Sequence, residues 1–227
     1  MSAVWGGRKK VAPGAVLVIG LGRFGSAVAG ELVRQGVEVM AVDEDAELVE
    51  RWADELTYTA QVDATDEQAL KQLGLADFEQ VVVGIGADIE ASVITTLTVS
   101  EAGVPQIWAK ALTRKHGQIL ERVGANHVVY PERDTGQRVA FTIAGTMKDW
   151  MEFDDGMAIA RTAAPEFTWD RPLAESAPRT RYHVTVIAVK PAHGDIEYAV
   201  PDTIIRRGDD ILVAGMAADV KNFALLR

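Results

Sequence analysis

The feature that most constrains this chain is a short apolar run that breaks into a glycine motif and then opens a helix. The run Val16 to Ile19 is followed by Gly20, Gly22 and Gly25 in the pattern G-x-G-x-x-G. Gly20 allows a tight turn, Gly22 lets the backbone approach a phosphate, and Gly25 lets the helix pack close to the strand. The free N–H groups at the start of such a helix face an anion. The motif therefore predicts a site for the phosphates of a nucleotide.

An acidic residue ends the next predicted strand at the spacing of a ribose-binding carboxylate. Residues 37–43 form an apolar run that ends in Asp43, about 20 residues after the motif. A carboxylate there accepts hydrogen bonds from ribose hydroxyls and repels a 2′-phosphate, which favours NAD or an adenosine nucleotide over NADP. The alternative is that Asp43 only caps the following turn.

Three further residues are candidates for contact with the phosphates. Arg23 lies inside the motif, where its guanidinium can pair with two phosphate oxygens of the same nucleotide or of one held by a partner subunit. The alternative is a solvated loop arginine. Phe24 begins the predicted helix, and Lys110, after the fifth predicted strand, is either a phosphate neighbour or an exposed lysine.

A short polar segment follows the third predicted strand. Asp63 and Ala64 fall on the carboxyl edge of the sheet, where ligands bind in doubly wound folds, so we expect them to touch the adenine or the ribose. Thr65 either contributes to this site or caps the next helix, with Gln68 completing a capping box.

The order of predicted elements indicates an α/β fold, a Rossmann-like doubly wound parallel sheet with a crossover helix and a small C-terminal α+β domain. Strands are expected near residues 15–20, 37–43, 58–62, 80–84, 106–109 and 127–130. Helices are expected over 24–34, 46–56, 66–73, 89–102 and 113–122. A glycine falls just past four of the proposed helix ends, at Gly36, Gly74, Gly103 and Gly124, where it can cap the last carbonyls.

The pattern changes after Pro131. Val139, Ile143, Met147 and Trp150 form one apolar stripe at helical spacing, which predicts a helix over 133–150. This helix either packs on the same domain or crosses to a second domain or subunit. We expect an N-terminal extension over 1–14, a nucleotide-binding domain over 15–132, a crossover helix and hinge over 133–155, and a C-terminal domain over 156–227, with the linker or hinge near residues 152–156. The C-terminal domain is expected to have strands at 184–189 and 211–214 and a helix at 217–226.

Composition and charge argue against several classes of function. The 227 residues have a net charge of −10, which disfavours a nucleic-acid partner because phosphate binding needs a basic surface. The chain has no cysteine, so a disulfide and a thiolate metal site are both excluded. Neither a signal peptide nor an apolar run of about 18 residues is present, so we expect no direct insertion into a membrane.

The sequence offers little for catalysis. Its four histidines are scattered, with no orienting carboxylate at a suggestive spacing, and the Y-x-x-x-K and H-E-x-x-H patterns are absent. A binding module is therefore favoured over an enzyme.

The chain resembles the RCK family, the regulators of K⁺ conductance that form cytosolic gating rings for Ktr and Trk potassium transporters and for some channels. The resemblance begins near residue 15 and covers nearly the whole chain. Its most specific segments are residues 20–25, 42–43, 63–65, 124–132 and 207–213. RCK proteins have an N-terminal Rossmann lobe that binds ATP, ADP or NAD(H), and in some members the C-terminal lobe binds cyclic di-AMP.

The resemblance also implies residue roles. It places Gly20, Gly22 and Gly25 against the phosphates, Asp43 on the ribose and Asp63 on the adenosine. It also places Arg23 on terminal phosphates across a dimer, and Glu132 on a divalent cation (Mg or Ca) at the subunit interface. Asn126 departs from the family, since aspartate is common there.

The implied partner is an integral membrane potassium-translocating subunit. Homodimers would assemble into an octameric ring in the cytoplasm, peripheral to the inner face of the membrane. The alternatives are a small NAD-dependent oxidoreductase and a stand-alone nucleotide or redox sensor.

Overall fold

A parallel sheet of six strands forms the first part of the chain in the computed structural model, which describes residues 13–153 and 155–226. The strands are β1 (Val16–Ile19), β2 (Val39–Asp43), β3 (Tyr58–Gln61), β4 (Gln80–Val83), β5 (Gln106–Lys110) and β6 (His127–Val129). Their order is β3-β2-β1-β4-β5-β6, and every neighbouring pair is parallel. The predicted α/β fold is confirmed, whereas most of the predicted N-terminal extension, residues 1–12, lies outside the described residues.

A helix lies at each of the five predicted places between these strands, although the second ends at Trp52 instead of the predicted residue 56. They are α1 (Arg23–Arg34), α2 (Ala46–Trp52), α3 (Glu67–Gln72), α4 (Ile89–Glu101) and α5 (Arg114–Arg122). The glycines just past the helix ends adopt left-handed backbone, for example φ +82° at Gly36 and +81° at Gly103. This conformation strains any residue with a Cβ, so these glycines end their helices.

Strand β1 is buried on both faces, which explains its continuous apolar sequence. Leu17 and Ile19 belong to one buried cluster, and Val16 and Val18 belong to another. Successive side chains of a strand point to opposite faces, so the strand lies between two layers of the core. Each such side chain contributes about 1.5–3 kcal/mol to stability by burial.

The chain divides into two units, with the boundary between Arg133 and Asp134. The second unit contains an antiparallel sheet of order β10-β9-β11-β8-β7. Its strands are β7 (Asp149–Glu152), β8 (Met157–Ala163), β9 (Thr185–Lys190), β10 (Glu197–Tyr198) and β11 (Asp210–Met216). The remaining helices are α6 (Pro131–Ile143), α7 (Leu173–Ser176), α8 (Pro178–Tyr182) and α9 (Ala217–Phe223), and α6 begins before the boundary and ends after it. A small C-terminal α+β domain is confirmed.

The prediction of one helix reaching Trp150 is wrong. Helix α6 ends at Ile143, because Gly145 adopts a left-handed backbone with φ +66°. The N–H of Gly145 donates to the carbonyl of Thr142, and the N–H of Thr146 donates to the carbonyl of Phe141. These paired bonds terminate a helix. Trp150 instead lies on β7, where it is buried in the core of the second unit.

The hinge expected at residues 152–156 is also not a linker. Strands β7 and β8 pair as an antiparallel hairpin around these residues. The N–H of Phe153 donates to the carbonyl of Met157, and Gly156 adopts the left-handed backbone of the turn at φ +81°.

His116 on α5 is a buried titratable group of the first unit. Its side chain is buried, its Nδ1 accepts from the N–H of Leu112 at 3.3 Å, and its Nε2 has no partner among the described residues. Burial lowers the pKa of His116, so the unfolded chain binds this proton more readily than the folded chain. Its contribution to stability is therefore complete above the unfolded pKa of about 6.5 and declines as the pH falls below it.

We therefore expect the free energy of unfolding to fall between about pH 7.5 and about pH 5.5, and to fall less in His116→Asn, which has no imidazole to charge. Urea unfolding of both proteins at the two pH values measures the difference. An equal loss in both proteins would show that His116 does not titrate on unfolding.

Candidate functional site

A cavity of about 520 Å³ opens at the carboxyl edge of the parallel sheet. We call it the sheet-edge cavity. It lies where the strand order reverses, between β1 and β4, and ligands of doubly wound folds bind at such a point. Its volume is in the range of small-molecule sites. The predicted site residues that line it are Gly20, Gly22, Arg23, Phe24, Asp43, Asp63, Ala64 and Lys110.

The glycines of the motif play distinct structural parts. Gly20 has φ +96°, and a Cβ there would lie 3.2 Å from the backbone nitrogen of Ile85. A Cβ on Gly25 would overlap the carbonyl oxygen of Gly20, so α1 packs against the turn with no room for a side chain. Gly25 therefore supports the cavity without lining it. A Cβ on Gly22 would meet no described atom within 4 Å, so this backbone stays open toward a ligand.

Asp43 joins the glycine turn to the end of β2. Its Oδ2 accepts from the N–H of Leu21 at 2.5 Å, and its Oδ1 accepts from the N–H of Asp45 at 2.9 Å. Asp43 thus caps the following turn and also lines the cavity, and its contact with a ribose stays a prediction. Each carboxylate oxygen has further lone-pair capacity for a ribose hydroxyl.

The segment after β3 differs from the expectation at one residue. Asp63 lines the cavity, and its Oδ1 accepts from both the N–H and the hydroxyl of Thr65, which lower the pKa of Asp63. Thr65 does not cap the next helix. Asp66 does, because its carboxylate accepts from the N–H groups of Gln68 and Ala69.

Lys110 is not an exposed lysine. Its side chain is only 10% exposed, and its Nζ donates to Oε1 of Glu132 at 2.6 Å. This hydrogen bond is the main reason that the pKa of Glu132 is lowered, and Arg23 adds a weaker electrostatic effect. Glu132 does not line the cavity, and the described part of the chain contains no cluster of three or more acidic or histidine side chains suited to a metal ion.

Sequence reasoning missed several lining residues, among them Glu44, Leu48 and Asp88. Asp88 carries a usable signal, because an aspartate just before a long helix is a common cap, and its carboxylate accepts from the N–H of Ala91 at 3.0 Å. No histidine is among the described residues that line the cavity.

Comparison with known proteins identifies the family. The TrkA-N domain matches residues 16–131. Ktr system potassium uptake protein A of Bacillus subtilis (strain 168) is 37% identical over 208 residues, which cover 91% of this chain and 93% of that protein. The protein of the same name from Vibrio alginolyticus is 35% identical over 201 residues, 87% of this chain and 90% of that protein.

Solved structures share the fold. The GsuK channel bound to NAD superposes with a TM-score of 0.66 at 19% identity, covering 94% of this chain and 39% of that longer chain. The TrkA-N domain of the inner membrane protein ybaL from Escherichia coli superposes with a TM-score of 0.52 at 17% identity, covering 57% of this chain and 96% of that one.

A Rossmann-like unit with a cavity at its switch point, followed by a small antiparallel unit, is the fold that this chain shares with the GsuK channel. The chain belongs to the TrkA-N family and, within it, to the group of Ktr potassium uptake subunits. This confirms the resemblance to the family of Ktr and Trk proteins and the prediction of a subunit of a potassium uptake system.

Proposed function

We propose that a nucleotide held in the sheet-edge cavity sets the state of this chain and, through it, the activity of a separate potassium-translocating membrane protein. The observation that supports this most is the cavity itself. It combines the N-terminus of α1, the carboxylate of Asp43 and the cations Arg23 and Lys110 around one space. The nucleotide acts as a signal and is not converted.

The proposed ligand is ATP, ADP or NAD(H). The N–H groups of the glycine turn and of Phe24 would hold the phosphates, because they lie at the positive end of α1. Asp43 would accept from the ribose hydroxyls, and Asp63 with the backbone of Ala64 would contact the adenosine. Solved structures of GsuK with NAD and with ADP support both ligand classes for this fold.

A divalent cation would involve Glu132. Mg²⁺ and Ca²⁺ need six or more oxygen ligands, and Glu132 supplies at most two. Phosphate oxygens, water and, at a subunit interface, a second copy of this chain would supply the remaining ligands. Cyclic di-AMP binding to the second unit stays a prediction that a direct titration would test.

The proposed assembly is a homodimer that closes into an octameric ring on the cytoplasmic face of its membrane partner. None of the helices in residues 13–153 and 155–226 is long and apolar enough to span a bilayer. The nucleotide can shift such a ring between two shapes only if it binds one shape more tightly than the other. The coupling free energy is typically about 1–3 kcal/mol.

Arg23→Ala is expected to weaken nucleotide-dependent regulation while leaving the fold intact. Arg23 is exposed at the start of α1, so its loss removes a phosphate partner but little packing. Potassium uptake by the complex of this chain with its membrane subunit, measured with ATP and with ADP, should lose much of its difference between the two nucleotides.

Arg34→Ala is the matched control, because Arg34 ends the same helix and pairs with Glu31 on the surface. It should regulate as the wild type does. Unchanged ATP and ADP responses in Arg23→Ala would defeat the assignment of Arg23. Turnover of NADH with a carbonyl compound by the purified chain would favour the oxidoreductase instead.

A further inference from the structure

The antiparallel sheet of the second unit has one face turned away from its core. On β8 the side chains of Ala158, Ala160 and Thr162 are buried, whereas Met157 at the start of the strand is exposed. Successive side chains of a strand point to opposite faces, so Met157 belongs to the face away from the core. Met216 is its direct partner on β11 and is also exposed. Two exposed methionines therefore lie side by side on this outer face.

Strand β7 adds two further apolar side chains to the outer face. Trp150 is buried in the core, so Met151 and Phe153 point to the opposite side. Met151 pairs with Ile159, two residues along β8 from Met157. The N–H of Phe153 donates to the carbonyl of Met157 at 2.8 Å, which continues the pairing beyond β7. We call the four exposed side chains the methionine face; they are 41% to 58% exposed and comprise Met151, Phe153, Met157 and Met216.

The other methionines of the described residues are shielded. Met147 is only 3% exposed in the core of the second unit, and Met40 packs against the core of the first. An oxidant must reach the sulfur of a methionine, so exposure decides which methionines react. The chain has no cysteine, which would otherwise be the more reactive sulfur. Among the described residues, the methionine face therefore holds the most accessible oxidisable sulfur atoms.

We propose that Met151, Met157 and Met216 are sites of reversible oxidation by peroxides. A lone pair of the thioether sulfur attacks one oxygen of hydrogen peroxide, so that an S–O bond forms and the O–O bond breaks. The displaced hydroxide takes the proton of the new S–OH group and leaves as water. Sulfur loses two electrons and the peroxide gains them, which gives methionine sulfoxide. Methionine sulfoxide reductases reverse the reaction, with one enzyme for each sulfoxide epimer.

This oxidation changes the character of the face without reaching the core. A sulfoxide is polar, so three of them turn an apolar surface into a polar one. Such a surface no longer gains free energy by burial against an apolar partner. The buried side chains of β8 lie on the opposite side of the sheet, so the unit stays folded. The oxidation state of the methionine face thus controls whether this face can pack against an apolar surface.

Treatment of the full chain with hydrogen peroxide, followed by peptide mass spectrometry, measures the rate of oxidation at each methionine. We expect Met151, Met157 and Met216 to react about tenfold or more faster than Met147. The urea midpoint of the oxidised chain should equal that of the untreated chain, because the core is not oxidised.

A triple variant separates oxidation of this face from oxidation elsewhere. Met151→Leu, Met157→Leu and Met216→Leu together keep the face apolar but leave no thioether there to oxidise. The fluorescence of a dye that binds apolar surface should fall about twofold or more when the wild type is treated with peroxide, and should stay constant in the triple variant. Methionine sulfoxide reductases A and B should restore the wild-type signal.

Met147→Leu is the matched control, because it removes a buried thioether from the same unit. Its dye signal should fall with peroxide as that of the wild type does. If Met147→Leu does not fold, Met40→Leu replaces it.

Oxidation of Met147 as fast as that of the three exposed methionines would overturn the inference, because exposure would then not select the sites. An equal loss of dye signal in the triple variant would overturn it too, since the change would come from elsewhere in the chain. A lower urea midpoint after oxidation, or a signal that the two reductases do not restore, would show damage to the protein instead of a reversible change of one face.

Discussion

Gly25→Ala is expected to lower the free energy of unfolding by roughly 3 kcal/mol or more. The added methyl would overlap the carbonyl oxygen of Gly20, and both groups belong to the backbone, so no side-chain rotation relieves the clash. Helix α1 would have to move off β1, whose residues are fully or almost fully buried. Urea unfolding followed by circular dichroism measures the loss, and nucleotide binding should disappear with it.

Gly22→Ala is the matched control for this effect. Gly22 has φ −61°, which any residue adopts, and a Cβ there meets nothing within 4 Å. Its free energy of unfolding should stay within about 0.5 kcal/mol of the wild type. Nucleotide binding should nevertheless be lost, because the methyl occupies the space that the phosphates need. A Gly25→Ala protein as stable as the wild type would show that this packing does not matter.

Asp43→Ala is expected to weaken the binding of adenine nucleotides about 100-fold or more, since it would remove the charge-assisted hydrogen bonds that we propose to the two ribose hydroxyls. It also frees the N–H of Leu21, which Asp43 holds at 2.5 Å, and so loosens the glycine turn. Asp43→Asn separates the two causes in part, because its one amide oxygen still accepts from the N–H of Leu21 without a charge, whereas the bond from the N–H of Asp45 is lost. Titration with ADP and with NAD gives the affinities.

Asp45→Ala serves as the control for charge. Asp45 is also acidic and lies two residues away, but it caps α2 through the N–H of Glu47 and does not line the cavity. Its loss should cost a few tenths to about 2 kcal/mol of stability and leave affinity nearly unchanged. Equal losses of affinity in Asp43→Ala and Asp45→Ala would contradict a ribose-binding role for Asp43.

The first unit could be predicted from sequence because its signals are local. A strand buried on both faces is a continuous apolar run, as in Val16 to Ile19, and four of the five helices that connect the strands, all but α2, have a glycine just past their end. The glycine motif and Asp43 could be recognised for the same reason, since their spacing along the chain fixes their spacing at the sheet edge.

The second unit has weaker signals. Strand β8 buries Ala158, Ala160 and Thr162, and such small side chains give little hydrophobic contrast. The end of α6 depends on the left-handed backbone of Gly145. This end could not be predicted from the sequence, because Met147 and Trp150 continue the helical spacing of apolar residues. Those two residues are buried for a different reason, in the core beside the hairpin.

Within the site, the burial of Lys110 could not be predicted. It depends on Gly86 making room and on Glu132 supplying a counter-charge 22 positions along the chain. A lysine in isolation is expected on the surface. Likewise, Thr65 and Asp66 are both good caps by type, and only the backbone shows that Asp66 holds that position.

Nucleotide binding at the glycine turn is best tested by calorimetric titration of the purified wild-type chain and of Gly22→Ala with ATP, ADP, NAD and NADH. We expect saturable binding of at least one of these ligands to the wild type, and no measurable binding of that ligand to a Gly22→Ala protein that unfolds as the wild type does. Absence of binding by all four ligands, or equal affinity in the two proteins, would contradict a nucleotide site in the sheet-edge cavity.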